Sequence, residues 1–110
     1  MKQYVFDQLR ESDHDLINEF LHKNADKTMM SEIFWVNLPE DLYTPVQKEH
    51  SKCHPFYFAV NLSKNSVAFE FLIRSRQILR CNCIAYATPA QRDYIMEFGD
   101  RMLEDLKIKL

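Results

Sequence analysis

The sequence predicts an α+β domain, a two-layer sandwich in which amphipathic helices cover one face of an antiparallel sheet. Three observations carry this expectation. Residues 55–86 hold three successive stretches that alternate with period two, the pattern of strands with one face in a core. Thr44-Pro45-Val46-Gln47 and Thr88-Pro89-Ala90-Gln91 share the hydroxyl, proline and amide spacing of a helix-opening capping box. Of the 110 residues 46% are hydrophobic, eight of them Phe, which is enough apolar volume for one core without cross-links. No Pro/Ser-rich linker or low-complexity run interrupts the chain, so residues 1–110 read as a single domain.

The elements follow in order. Residues 3–9 suit a strand. Leu16, Ile17, Phe20 and Leu21 have helical spacing, which predicts a helix over 13–23 capped by Ser12, with Asp15 near the positive end of its dipole. Residues 29–37 are rich in bulky apolar side chains and predict a strand ended by Pro39. Thr44 opens a short helix expected to stop near Lys52. Thr88 opens the longest helix, with Ile95, Phe98, Met102 and Leu106 along one side.

Within 55–86 the alternation predicts a three-strand meander, joined to one or two N-terminal strands. A loop at Ser63–Ser66 pairs Leu62 with Val67, Val60 with Phe69 and Phe58 with Phe71. A turn centred on Arg76 pairs Ile73 with Leu79, Phe71 with Cys81 and Phe69 with Cys83. Both registers place their apolar sets on one common face, the expected core. The other face carries Tyr57, Asn61, Glu70, Leu72, Arg74, Ile78, Arg80, Asn82, Ile84 and Tyr86. Mixed faces of this kind commonly meet a partner.

Composition narrows the function. A net charge of -2 offers no general polyanion surface, so nucleic acid is not an expected partner. A single glycine excludes Gly-rich phosphate loops. No stretch has the apolar length of a membrane span, and the first seven residues lack a signal-peptide segment. Three cysteines cannot form a complete set of internal disulfides. Free thiols, a cytoplasmic location and no cofactor are expected.

Four constellations could carry chemistry. Cys81-Asn82-Cys83, on a strand, would point both thiols to one face, their Cα atoms roughly 6.5 Å apart and near the limit for a disulfide; burial in the core against Phe69 and Phe71 is expected. His50, Cys53 and His54, with Cys81 and Cys83, supply the soft nitrogen and sulfur donors that zinc takes, at a spacing unlike that of known fingers or ribbons. Cys53 with His50 or His54 and Glu49 holds the residue types of a nucleophilic site, without a strained elbow to present the thiol. Arg74, Arg76 and Arg80 surround one turn, and Arg92 lies in the first turn of the last helix. Their forked donors suit phosphate or carboxylate, with Tyr86 and Tyr57 available for stacking.

Asn61-Leu62-Ser63-Lys64-Asn65-Ser66-Val67-Ala68-Phe69 resembles the Asn/Asp-x-Ser-x-x-Gly motif of PilZ domains, which bind cyclic di-GMP. The resemblance covers nine residues. Ser66 replaces the motif's glycine, and the upstream Arg-x-x-x-Arg has only Lys48-x-x-x-Lys52 as an echo. The resemblance implies an anionic nucleotide ligand and does not extend along the chain. The expected function is that of a non-enzymatic interaction domain that self-associates, a homodimer through Leu72, Ile78, Ile84 and Tyr57, with another protein as a further partner. The alternatives are a sensor binding a small anion through Arg74, Arg76, Arg80, Arg92 and Tyr86, and a zinc or thiol protein.

Overall fold

A computed structural model describes residues 2–110. Its elements are β1 (Gln3–Phe6), α1 (Glu11–Asn24), β2 (Asp26–Lys27), β3 (Ile33–Asn37), α2 (Pro45–Glu49), β4 (Phe56–Leu62), β5 (Val67–Glu70), β6 (Leu72–Ser75), β7 (Ala85–Tyr86) and α3 (Pro89–Leu106). Short 3-10 turns span Glu40–Leu42 and Ser51–Cys53. The sheet is antiparallel, in the order β1-β5-β4-β3-β2, with β6 pairing the start of β4 and β7 beyond it. The architecture is the α+β sandwich that the sequence predicts. Strand β4 is its spine: Phe56, Phe58, Val60 and Leu62 point into the core, where Ile17 and Leu21 of α1 and Ile95 and Met102 of α3 meet them.

Both Thr-Pro-x-Gln sites form the expected capping boxes. The Thr44 hydroxyl accepts from Gln47 N at 3.2 Å and the Gln47 amide oxygen accepts from Thr44 N at 3.0 Å. Thr88 and Gln91 repeat the exchange at 3.2 and 3.1 Å. Helix α1 starts earlier than predicted. Its cap is Arg10 rather than Ser12, because the buried Asp13 carboxylate accepts from both the Arg10 backbone and its guanidinium. That guanidinium holds the Asp13 carboxyl below its usual range.

The strand expected over 29–37 is shorter. Residues 28–32 form a turn bridged by the Thr28 hydroxyl, 2.9 Å from Ile33 O, and β2 beyond it brings the N-terminal strands to three.

The meander departs from prediction in two places. Leu62↔Val67 and Val60↔Phe69 pair as expected, but Phe56↔Ser75 and Tyr57↔Arg74 follow. Three steps along β4 are therefore matched by five on the outer strand, a bulge around Phe71 that replaces the Phe58–Phe71 pair. Phe71 leaves the ladder because its N–H donates to Lys2 O at 3.0 Å and its carbonyl accepts from Ala87 N at 2.7 Å. The third strand shrinks to Ala85–Tyr86, so Ile73–Leu79, Phe71–Cys81 and Phe69–Cys83 do not pair. Two contacts explain this. The Ser75 hydroxyl accepts from Gln77 N and Ile78 N, both at 3.1 Å, which turns the chain off the sheet. Strand β1 already occupies the free edge of β5, with Tyr4 opposite Phe69.

Helix α3 approaches the sheet closely at Gly99, the chain's single glycine. A Cβ there would lie 3.1 Å from the Phe69 ring and 3.2 Å from the Phe6 ring. Gly99→Leu is therefore expected to cost about 1–3 kcal/mol by overpacking, outweighing the gain in helix propensity. Urea unfolding checks it; a stability equal to or above that of the parent would show that α3 can retreat without loss.

Candidate metal centre

Three separate segments meet at one end of the sheet. The C-terminal cap of α2 supplies His50, the 3-10 turn that follows supplies Cys53, and the loop between β6 and β7 supplies Cys81 and Cys83. His50 Nδ1 and the three sulfurs all lie within 4.8 Å of one another, and His50 Nδ1 is 3.1 Å from Cys81 Sγ. All three cysteines are free. A tetrahedron with the ~2.3 Å arms of zinc–thiolate bonds has edges of ~3.8 Å, so metal binding needs only a small contraction.

Local structure accounts for the convergence. Cys53 N donates to His50 O at 2.8 Å, closing the turn that brings their side chains to one side. Ile84 N donates to Cys81 O at 3.1 Å, making a tight turn of the Cys-Asn-Cys segment. The Ser75 hydroxyl donates to Cys53 O at 2.5 Å and the Gln47 amide to Cys83 O at 3.2 Å, so both buried cysteines have a fixed backbone. Cys53 and Cys83 are each 2% exposed, whereas His50 and Cys81 reach the surface. Such outer hydrogen bonds orient metal ligands.

Of the five metal candidates in the sequence, His54 stands apart. Its Nε2 donates to Gln47 O at 2.7 Å, and its ring packs edge-on against Tyr43 and Phe56. Gln47 and Ser75 were missed as supporting residues. The capping box was a signal for Gln47, since an N3 amide spends only part of its hydrogen-bonding capacity on the cap.

The thiols are electrostatically unlike. The Cys83 backbone N–H and thiol donate to the Cys81 sulfur, with His50 and Cys53 also donating, and hold its pKa down at about 7. Burial pushes Cys83 up to about 12, helped by the neighbouring sulfurs. Strand placement implied that Cys81 and Cys83 are both buried; Cys83 is, whereas Cys81 reaches the surface. In metal-free protein, a thiol reagent is expected to modify Cys81 first, the rate rising between about pH 6 and 8 as thiolate forms. Mass mapping of the first adduct checks this; faster labelling of Cys53 or Cys83 would contradict it.

The predicted arginine cluster is dispersed into separate contacts. Arg76 donates to Asn37 at 2.8 Å and Asp26 at 2.6 Å, and lies over Trp35 and Tyr57, whose rings stack at 4.2 Å. Arg74 stands 3.8 Å from Glu70. Arg80 is exposed in the loop, Arg92 is exposed at the start of α3, and exposed Tyr86 has Lys2 Nζ 5.4 Å from its ring centre. The expected interface residues also separate. Leu72 and Tyr57 lie on strands of the sheet, Tyr57 nearly covered beneath Arg76. Ile78 and Ile84 lie in the loop, and Ile84 packs against the core. The nine-residue segment that resembles PilZ spans the end of β4, a hairpin loop closed by Ser63 N to Ser66 O, and the start of β5. Asn61 there donates to Glu70 at 2.7 Å.

No known protein family, curated protein or solved structure matches this chain. No helix of the described residues is long and apolar enough to cross a membrane.

Proposed function

We propose that the protein is a zinc-binding domain whose metal is held by His50, Cys53, Cys81 and Cys83. The single observation behind this reading is the convergence of four soft donors from three segments within 4.8 Å. Three thiolates and one imidazole select zinc over oxygen-seeking cations. Four protein ligands leave no open position for a water or substrate, which favours a structural role over a catalytic one. The metal would fix the Arg76–Ile84 loop to the end of α2. A reducing, cytoplasmic setting suits this reading, because the cysteines must stay unoxidised to bind. Elemental analysis of protein purified under reducing conditions is expected to find one zinc per chain. Cobalt(II) substitution is expected to give the intense visible bands of a tetrahedral thiolate site. A chain that arrives without metal, and takes up zinc no tighter than millimolar, overturns the reading.

A second reading keeps the protein as an interaction domain that self-associates through the open face of the sheet. What supports it is that α1 and α3 bury their apolar sides on the opposite face, while Met29 and Met30 stand exposed beside the half-buried Ile33 and Trp35. Sedimentation at tens of micromolar is expected to show a dimer that Trp35→Lys dissociates. A monomer across that range removes this reading and leaves the zinc proposal intact.

A further inference from the structure

We infer that Gln47 is the positioning residue of this centre, joining the metal-binding loop to the N-terminus of α3 through one buried side chain. The inference rests on the zinc reading. Gln47 is 2% exposed, and both ends of its amide are engaged. Its oxygen accepts from Thr44 N at 3.0 Å and from Gln91 Nε2 at 3.0 Å, occupying both lone pairs. Its Nε2 donates to Cys83 O at 3.2 Å. Gln91, itself 1% exposed, also donates to Leu42 O at 2.9 Å. Two capping boxes distant in sequence therefore meet amide to amide, and one of them reaches the peptide of a metal ligand.

The geometry assigns the roles. A carbonyl held by a buried donor cannot rotate without leaving both groups unsatisfied. Fixing the Cys83 carbonyl fixes its peptide plane, and with it the direction of the Cys83 Cα–Cβ bond. Cys83 is itself 2% exposed, so its side chain has little room to find the metal once its peptide plane is set. Gln91 stands one step further out: it steadies the Gln47 oxygen and touches no ligand.

The test compares Gln47→Met with Gln91→Met in the full chain. Each loses a buried amide and one capping acceptor, but only the first loses the donor to Cys83. Zinc affinity is read by competition with a chromophoric chelator, ligand geometry by the cobalt(II) bands, and stability by unfolding of the metal-free forms. Gln47→Met is expected to weaken zinc about 10–100-fold and to shift the cobalt bands. Gln91→Met is expected to change affinity by less than about threefold while costing similar stability. Equal affinity losses in the two variants would mean that helix docking alone matters and would overturn the inference, as would an unchanged Gln47→Met. An unmodified chain that binds no zinc refutes the functional proposal instead, before any variant is compared. Should Gln47→Met not fold, Gln47→Glu keeps the capping acceptor and carries the same comparison.

Discussion

Phe69→Ala is expected to destabilise the domain by about 3–5 kcal/mol, whereas Phe71→Ala, two residues further along the chain, is expected to cost only about 1 kcal/mol. Phe69 has no exposed surface. Its ring lies 5.9 Å from Phe6, 6.4 Å from Tyr4 and 6.2 Å from Phe98, and it fills the space left by the missing side chain at Gly99. Truncation would leave a cavity walled by rings on β1 and α3, which cannot collapse without moving both elements. Phe71 sits in the bulge, half-buried, and its backbone contacts survive truncation. Urea midpoints, with slopes to show that two-state unfolding persists, separate the cases. Equal losses at the two sites would mean that the outer strand runs unbroken along β4.

What the sequence revealed and what it hid follow from the range of the interactions. Thr44 and Thr88 were legible as caps because a capping box is closed within four residues. The β4–β5 register was legible because a short loop and matched apolar sets leave few alternatives. The bulge was not, because what draws Phe71 out of the ladder is Lys2 on one side and Ala87 on the other, both remote in sequence. Residues 79–84 alternate as a strand would, yet Leu79 is exposed and Cys83 buried in a loop, so the pattern there arose without a ladder. Likewise the sequence offered five metal candidates without dividing His50 from His54. That division is set by the 3-10 turn at Ser51–Cys53 and by the Gln47 carbonyl that takes the His54 ring. The arginines looked like one cluster because Arg76 lies between Arg74 and Arg80, but Asp26 and Asn37, far upstream, claim it.

If zinc occupies the proposed site, chelating it is expected to leave the domain folded but to lower its melting temperature by roughly 15 °C. A zinc finger unfolds without metal because it has no other core. Here Phe34, Phe56, Phe58 and Phe69 are fully buried in a core that Ile17, Leu21, Ile95 and Met102 of the two long helices share, so the sheet and these helices should keep their packing. What a metal bound at the proposed site would add is binding free energy that exists only in the native state. At a thousandfold excess over the dissociation constant this is about 4 kcal/mol, and each kcal/mol moves a domain of this size by about 4 °C. Cys53→Ser removes a ligand while its backbone carbonyl still accepts from Ser75, so the fold should persist with the lower melting temperature and no response to chelator. Acid should act in the same direction: protons compete with zinc for imidazole and thiolate, so the zinc-dependent increment shrinks as pH falls from 8 to about 6. The metal-free protein and Cys53→Ser should show no such increment over that range. If chelator shifts the melting temperature of Cys53→Ser as far as that of the parent, the bound metal lies elsewhere; if it shifts neither, the four donors are a thiol cluster without a metal.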